Sequence, residues 1–249
     1  MTTLAAVIRA VLFDWGDTLM EFAFDDEIIK ASHRAGLRAI GREDLDITEH
    51  FRARFEPLFA VPGTIEEIEY PGFVRDILGD FGVEVSDEEL NRFLDAEHKA
   101  WAPARRLGGT THALLDTLRA RGIRLGIVSN AFDPGWLLHQ DLDEMGIGER
   151  IDFAVFSSEI GKRKPHPDIF RRALEALEVA PEQAVFVGDR LFEDVRGAGE
   201  LGMTTVQALW FRADEHPDGR EPDFQAFTQM DVLNVVRRLN STGEPLVPP

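Results

Sequence analysis

The chain has 249 residues, of which 44% are hydrophobic, so it can bury a substantial core in one large or two modest domains. Its 45 acidic residues outnumber 27 basic ones, and the formal charge of -18 disfavours nucleic acid and anionic membrane surfaces as partners. The absence of cysteine excludes disulfides, thiolate catalysis and thiolate metal sites, which is consistent with a reducing, cytoplasmic location.

The first predicted element is a strand over the apolar run AVIRAVLFD, which ends at Asp14. No basic residue precedes this run and Arg9 interrupts it, which disfavours a secretory signal peptide. The sequence has no uninterrupted apolar stretch close to the roughly 18 residues that a membrane span requires. We therefore expect a cytoplasmic protein without a membrane partner.

Residues 20–105 show helical periodicity and no convincing strand, which predicts an insertion of about four helices. Apolar residues recur at helical spacing in two groups: Phe51, Phe55, Leu58 and Phe59, then Leu90, Phe93, Leu94 and Trp101. Two pairs have the spacing of a capping box at the start of a helix: Thr64 with Glu67, and Ser86 with Glu89. Pro71 and Gly72 predict a break or kink.

From about residue 110, amphipathic helical patterns alternate with the short apolar runs IRLGIVSN, IDFAVF, QAVFVGD and MTTVQAL. Gly122, Gly146 and Gly202 each follow a helical pattern, as C-terminal caps do. The segment DFQAFTQMDVLNVVRRL predicts a last helix, and STGEPLVPP predicts a frayed tail. This alternation predicts an α/β fold with a Rossmann-like parallel sheet.

Polar residues follow the ends of the predicted strands, where ligands bind in open parallel sheets. The candidates, in chain order, are Asp14, Asp17, Ser129, Asn130, Lys164, Asp189 and Asp194. Each one alone fits an ordinary role as a helix cap, turn former or surface residue. Several carboxylates at one sheet edge repel one another, however, and a hard divalent cation together with a lysine would stabilise them. Mg²⁺ suits such a set best.

The stretches VLFDWGDTL, GIVSN, GKRKPHPDIF and VFVGDRLFEDVRGAGELGM resemble, in order and spacing, the four motifs of the haloacid dehalogenase superfamily. The resemblance covers nearly the whole chain. It implies a Rossmann-like core over residues 1–19 and 106–249 and an inserted α-helical cap over residues 20–105. It also implies a magnesium-dependent phosphatase that hydrolyses a small phosphorylated metabolite through an aspartyl-phosphate intermediate.

The resemblance also implies a role for each matching residue. Asp14 matches the nucleophile, and Asp189 matches a magnesium ligand. Ser129, the backbone amide of Asn130 and Lys164 match the groups that bind the phosphoryl group, while Lys164 also pairs with the nucleophile. Asp194 matches a supporting acid, with Thr18 behind the first motif. Lys162 and Arg163, beside this lysine, are expected to be solvated.

The first motif departs from the family pattern at Gly16. Phosphatases of the superfamily carry an aspartate there, whose main-chain carbonyl binds Mg²⁺ and whose side chain is the general acid and base. Glycine retains the carbonyl and lacks the carboxylate, and Asp17 follows one position later. Two orientations are open for Asp17: its side chain can turn inward with Gly16 supplying unusual dihedral angles, or it can cap the turn.

Three alternatives to a phosphatase stay open. Haloacid dehalogenases need no proton donor for a halide but lack the metal-binding motif that this chain keeps at Asp189. Phosphonatases also have a first motif that begins with Asp-Trp, and they rely on a lysine of the cap to form a Schiff base. The lysines of the insertion are Lys30 and Lys99. A phosphate-binding protein without turnover is the third. The sequence does not indicate an oligomeric state.

Four aromatic residues, Trp15, Phe22, Phe24 and Trp136, have two interpretations. They are either ordinary packing residues or part of a water-excluding lining between the core and the insertion. Packing is the expectation for any one of them.

Overall fold

The computed structural model of this chain describes residues 7–59, 64–213, 216 and 218–242, apart from the side chains of Phe59 and Thr242. The predicted first strand begins at Ala6, which lies outside these residues. The predicted tail lies outside them from residue 243 onward.

Six strands of the described residues form one parallel sheet: β1 Ala10–Phe13, β4 Arg124–Ser129, β5 Phe153–Phe156, β6 Ala184–Gly188, β7 Thr204–Ala208 and β8 Phe224–Ala226. Their spatial order is β5-β4-β1-β6-β7-β8. The sheet order reverses beside β1, because the chain builds outward through β4 and β5 and then returns to β6 on the other side. This confirms the predicted Rossmann-like α/β fold.

Helices connect the strands and lie along the sheet. Their bounds are α5 Thr111–Ala120, α6 Gly135–Glu144, α7 Ser157–Ile160, α8 Pro167–Ala176, α9 Gly197–Glu200 and α10 Asp231–Thr242. The three predicted cap glycines have positive φ angles of 74°, 67° and 92° at Gly122, Gly146 and Gly202, which confirms them as helix-terminating positions.

The central strand β1 is buried on both faces of the sheet. Val11 and Phe13 pack into one hydrophobic cluster, while Ala10 and Leu12 pack into the cluster on the opposite face. Successive side chains of a strand point to opposite faces, so a strand covered on both sides must be apolar throughout. This explains the uninterrupted apolar run before Asp14.

Four helices follow the first strand: α1 Asp26–Ala39, α2 Thr48–Phe59, α3 Tyr70–Asp80 and α4 Asp87–Ala100. They share a hydrophobic cluster in which Leu37, Ile77 and Phe93 are completely or almost completely buried. Helices α1 and α4 approach closely at Gly36, where an added Cβ would lie 2.7 Å from the Phe93 ring. The predicted set of about four helices is thus present.

The expectation of no strand in residues 20–105 is wrong. Strands β2, Met20–Phe22, and β3, Arg105–Leu107, form an antiparallel pair at the two ends of the helical segment. Each has three residues, which is too short for alternation to be recognised in the sequence, and their partners lie far apart along the chain. This pair joins the start of the helical segment to its end.

Three local predictions within the chain also need correction. Thr64 and Glu67 do not begin a helix, because α3 starts at Tyr70 and is capped by the side chain of Glu69. Pro71 lies in the first turn of α3, where a missing N–H costs no helical bond, so it does not break that helix. The predicted last helix is shorter, because its first residues form β8.

The capping box at Ser86 is confirmed, and it generates a stability prediction. The Ser86 hydroxyl accepts from the amide of Glu89 at 3.3 Å, and the Glu89 carboxylate accepts from the amide of Ser86 at 2.9 Å. Ser86→Ala should lower the free energy of unfolding by about 1 kcal/mol, measured by urea denaturation. Ser86→Thr retains the hydroxyl that accepts from the Glu89 amide and donates to the Glu89 carboxylate, so its stability should lie close to that of the wild type; equal losses in both variants would contradict the cap.

Candidate active site

The polar residues predicted at the strand ends lie at one edge of the sheet. Asp14 follows β1, Ser129 ends β4 and Asp189 follows β6, and these three strands are neighbours with parallel direction. Asp14 is 7%, Ser129 4% and Asp189 1% exposed. The sheet topology therefore brings together residues that lie far apart in the sequence.

Lys164 is the cation of this site. Its side chain comes from the loop between α7 and α8 and is 1% exposed. The ammonium Nζ lies 2.7 Å from Oδ1 of Asp14 and 2.6 Å from Oδ1 of Asp194. Burial by itself lowers the pKa of Lys164, but the two carboxylates outweigh burial and leave the pKa raised. Lys164 is therefore a charged group that pairs two acids.

Asn130 holds the main chain at Lys164. Its side-chain Oδ1 accepts from the Lys164 amide at 2.7 Å, and its Nδ2 donates to the Lys164 carbonyl at 3.1 Å. Both hydrogen bonds are made to backbone groups, so the amide side chain fixes the loop at the residue that carries the ammonium. The sequence analysis considered the backbone of Asn130 and did not identify this use of its side chain.

Asp14, Asp189 and Asp194 form a buried carboxylate cluster. One oxygen from each lies within 4.8 Å of the others. Neither carboxylate oxygen of Asp189 accepts a hydrogen bond from the described residues, although Nε of Arg212 lies 3.2 Å from its Oδ2. Burial, reinforced by the charges of Asp194 and Asp14, raises the pKa of Asp189. Such unsatisfied hard oxygen donors fit a divalent cation such as Mg²⁺.

Asp17 faces the same cavity but is held by two partners. Its Oδ1 accepts from the Phe22 amide at 3.1 Å, and its Oδ2 lies 3.3 Å from Nη1 of Arg212. The unusual dihedral belongs to Asp17 itself, with φ of 55°, and Gly16 does not have a positive φ. The suggestion that Gly16 would supply unusual dihedral angles, one of the two open possibilities, is therefore not what the structure shows; aspartate tolerates the left-handed region through local side-chain bonds.

Thr18 lies immediately behind this loop. Its side chain is completely buried, and its carbonyl accepts from Nε1 of Trp210 at 2.8 Å and from Nε2 of Gln229 at 3.3 Å. These bonds tie the loop after β1 to the C-terminal part of the sheet. Thr18 thus anchors the segment that carries Asp14 and Asp17.

The expectation that Arg163 is solvated is wrong. Its side chain is 18% exposed, and Nη1 donates to both carboxylate oxygens of Glu67 at 2.7 and 2.8 Å. Glu67 has a side chain that is 1% exposed and also accepts from the Ser157 hydroxyl. Lys162, whose side chain is one-third exposed, pairs with Glu66. The segment between α2 and α3 therefore contacts the loop that carries Lys164, a pairing for which the sequence offers no signal.

A cavity of about 700 Å³ extends from the carboxylate cluster toward the four helices. Asp14, Ser129, Asn130, Lys164 and Asp194 line one end. Aromatic side chains contribute to its other walls: Trp15, Phe22, Phe24, Phe51, Phe55, Tyr70, Trp101 and Phe132. Trp136 is not among the lining residues and is 47% exposed. Three of the four aromatic residues singled out in the sequence thus line the cavity.

A buried polar cluster joins α4 to the segment around α6. Nδ1 of His98 lies 3.0 Å from Oδ1 of Asp133, and Nε2 lies 2.9 Å from Oδ2 of Asp141. Arg105 donates to Asp141 and to the His98 carbonyl. Burial and Arg105 oppose protonation of His98, but the two aspartates raise its pKa to about 9. The imidazolium therefore stabilises this contact at neutral pH.

None of the helices in the described ranges 7–59, 64–213 and 218–242 is long and apolar enough to cross a membrane.

With the fold and the site described, comparison with known proteins defines the class. Residues 8–202 match the model of the haloacid dehalogenase-like hydrolases. The match covers well over half of the chain, which therefore belongs to this hydrolase family.

Individual relatives carry phosphatase names. The chain is 31% identical to the glyceraldehyde 3-phosphate phosphatase of Methanopyrus kandleri, over 94% of this chain and 99% of the relative. It is 36% identical to the phosphoserine phosphatase of Thermus thermophilus, over 49% of this chain and 47% of that protein.

Solved structures share the fold. A 2-haloacid dehalogenase of Pseudomonas syringae pv. Tomato DC3000 aligns with a TM-score of 0.69 at 23% identity, covering 93% of this chain and 99% of that one. A phosphatase of Thermococcus onnurineus aligns with a TM-score of 0.62 at 23% identity, covering 92% and 98%.

The His98 cluster generates a prediction about pH. Because the folded-state pKa of His98 is raised from 6.5 to about 9, its stabilisation is complete below pH 6.5 and is lost as pH rises through 9. Between pH 6 and 10 the free energy of unfolding should decrease by up to about 3 kcal/mol less in His98→Gln than in the wild type. Denaturation measured from pH 6 to 10 tests it.

The matched control is His139→Gln, whose side chain is 45% exposed and pairs with Glu159 on the surface. This variant should retain the wild-type dependence of stability on pH. The same pH slope in wild type and His98→Gln would contradict the assignment.

Proposed function

We propose that this chain is a magnesium-dependent phosphatase that hydrolyses small phosphate monoesters through an aspartyl-phosphate at Asp14. The observation that carries the proposal is the buried ammonium of Lys164 between Asp14 and Asp194, beside the unsatisfied carboxylate of Asp189. The phosphatase names of the relatives support the phosphatase part of this proposal.

The proposed reaction begins with attack of an Asp14 carboxylate oxygen on phosphorus. The new Asp14–phosphorus bond forms as the bond from phosphorus to the leaving oxygen breaks, and water then hydrolyses the acyl phosphate to release phosphate. Lys164, paired with Oδ1 of Asp14 at 2.7 Å, orients the nucleophile and neutralises charge on the phosphoryl group. Ser129 and the amide of Asn130 would bind phosphoryl oxygens.

Asp14, the main-chain carbonyl of Gly16 and Asp189 would hold Mg²⁺. When bound, the ion offsets negative charge on the nucleophile and on the transferring group. The buried carboxylate of Asp189 fits this role, because neither of its oxygens accepts a hydrogen bond from the described residues and the Arg212 ion pair is made at Oδ2. Asp194 acts from behind, since it holds the ammonium of Lys164.

We also propose that residues 20–105 act as a cap over the core of residues 1–19 and 106–249. The cluster shared by helices α1–α4 and the β2–β3 pair at their base support this assignment, and Leu137 of α6 packs into the same cluster from the core. The cavity between the helices and the carboxylate cluster is the place where a small phosphorylated metabolite would be enclosed.

The contacts of Lys30 and Lys99 do not favour a phosphonatase. Lys30 has a 40% exposed side chain paired with Glu27, and Lys99 has a 55% exposed side chain paired with Asp95. The pKa of Lys30 is raised by its hydrogen bond to Glu27, whereas a Schiff-base lysine needs a neutral amine. Neither lysine is among the residues that line the cavity.

Asp14→Asn should lower the rate of p-nitrophenyl phosphate hydrolysis by more than about a thousandfold, since the amide is not a nucleophile. Activity should vanish with a chelator and return with Mg²⁺. The matched control is Asp168→Asn, at a carboxylate on α8 whose side chain is 56% exposed, and its rate should equal that of the wild type.

Inorganic phosphate binding, measured by calorimetry, separates the alternatives. A wild type that binds phosphate without turnover would indicate a phosphate-binding protein. Chloride release from a 2-haloacid without metal would indicate a dehalogenase. Either result would contradict the proposed phosphatase.

We propose Asp17 as the proton donor to the leaving oxygen, because it lines the cavity three residues after Asp14. Asp17→Asn should then slow ethyl phosphate hydrolysis by about a hundredfold and leave p-nitrophenyl phosphate nearly unchanged, since a nitrophenolate leaves without a proton. Steady-state kinetics with both esters measure this difference.

Arg212→Gln is the companion variant, because Arg212 is the ion-pair partner of Asp17. It retains the Asp17 carboxylate and should not reproduce the selective loss on the alkyl ester. Equal losses on both esters in Asp17→Asn would reject proton transfer and leave Asp17 as an anchor of the loop.

A further inference from the structure

The arginines that line the cavity are already paired with carboxylates. Their partners are, in chain order, Asp26 for Arg52, Asp141 for Arg105, Glu67 for Arg163 and Glu193 for Arg190. Lys164 is paired with the carboxylate cluster. A leaving group with its own carboxylate would therefore have to displace an existing ion pair to find a cation among these residues.

Two titratable residues of the cavity wall, Glu97 and His33, are predominantly uncharged at neutral pH. Burial raises the pKa of Glu97 to about 8, and the Tyr70 hydroxyl donates to its Oε2 at 2.8 Å. Burial lowers the pKa of His33 to about 4, and its Nδ1 lies 3.1 Å from the Thr48 hydroxyl. These groups suit hydroxyls and other neutral polar groups.

Three aromatic rings beside the nucleophile loop form what we call the aromatic shelf: Phe22, Phe24 and Trp101. The Phe22 and Trp101 rings stack with centroids 5.6 Å apart, and the centroids of Phe24 and Trp101 are 6.0 Å apart. Phe22 is 37% and Phe24 65% exposed, although both line the cavity. Large apolar rings left exposed within a ligand cavity indicate an apolar ligand surface.

The aromatic shelf is next to the loop that carries Asp14 and Asp17. The Phe22 amide donates to Asp17, and Phe22 is the residue of β2 that lies opposite Arg105 of β3. Trp101 immediately follows α4, close in sequence to β3. A leaving group attached to a phosphoryl group at Asp14 therefore has the shelf as a neighbouring wall.

We propose that the aromatic shelf binds the leaving group of the substrate, and that this group is an uncharged alcohol bearing an aromatic ring. The proposal rests on the proposed phosphatase function and deepens it by assigning specificity to Phe22, Phe24 and Trp101. Stacked aromatic contacts and burial of the ring supply affinity, while the paired arginines provide no free partner for an acidic substituent.

The contribution of the substrate's aromatic ring is measured by comparing two alkyl monoesters. Ethyl phosphate and 2-phenylethyl phosphate both release primary alcohols of similar basicity, so their kcat/KM values differ mainly through contacts to the ring. With Mg²⁺ present, wild type should prefer the phenyl ester by about tenfold or more. Phosphoglycolate, whose leaving group carries a carboxylate, should be slower than ethyl phosphate.

Trp101→Ala and, separately, Phe24→Ala should lower kcat/KM for 2-phenylethyl phosphate much more than kcat/KM for ethyl phosphate, so that most of the preference is lost. Trp136→Ala is the matched control, since this tryptophan is 47% exposed and is not among the cavity-lining residues. It should retain the full preference. Thermal unfolding of each variant verifies that it is folded.

Calorimetry with phosphonates, in which a methylene replaces the ester oxygen, tests binding without turnover. The Kd of 3-phenylpropylphosphonate should be about tenfold lower than that of propylphosphonate, and Trp101→Ala should abolish the difference. Equal affinities in wild type, or equal losses for both ligands in Trp101→Ala, would overturn the shelf. A retained affinity difference without hydrolysis of any ester would support the shelf while rejecting the phosphatase.

Discussion

The site depends on one buried ammonium placed among carboxylates. Lys164 lies 2.7 Å from Asp14 and 2.6 Å from Asp194, with a side chain that is 1% exposed. A buried ammonium is stable there because Asp14 and Asp194 pair with it. Without the ammonium, the carboxylates would repel one another. Asp189 adds a third buried carboxylate, which has an ion pair with Arg212 but accepts no hydrogen bond from the described residues, and the cluster therefore fits a divalent cation.

The parallel sheet places the polar groups of the site next to one another. Its central strand β1 is apolar on both faces, so the first residue that can be polar is Asp14, at the point where the strand leaves the core. Neighbouring β4 and β6 end at the same level and add Ser129 and Asp189. The loop with Lys164 is then fixed by Asn130, whose side chain bonds to the lysine backbone on both sides.

The helical segment contacts the site through charged pairs as well as aromatic rings. Glu67 binds Arg163, the residue before Lys164, and His98 bridges two aspartates on the far side of the cavity. These pairs also neutralise the cavity walls, although the chain as a whole carries a formal charge of -18. The proposed selectivity for an uncharged ring follows from this arrangement, because the charged groups named here are paired and eight aromatic side chains contribute to the cavity walls.

The sequence by itself determined the parallel sheet, the set of four helices and the carboxylates at the strand ends, because these follow from local periodicity and from polar residues that end apolar runs. Strands β2, β3 and β8 have three residues each and were not recognisable, since their pairing is long-range. The sequence spacing suggests a helix-capping role for Glu67, because its actual partner, Arg163, lies 96 positions away along the chain. Only the tertiary structure decided that Asp17 adopts the left-handed conformation beside Arg212, and that Arg163 is paired. Those outcomes depend on partners that are distant along the chain.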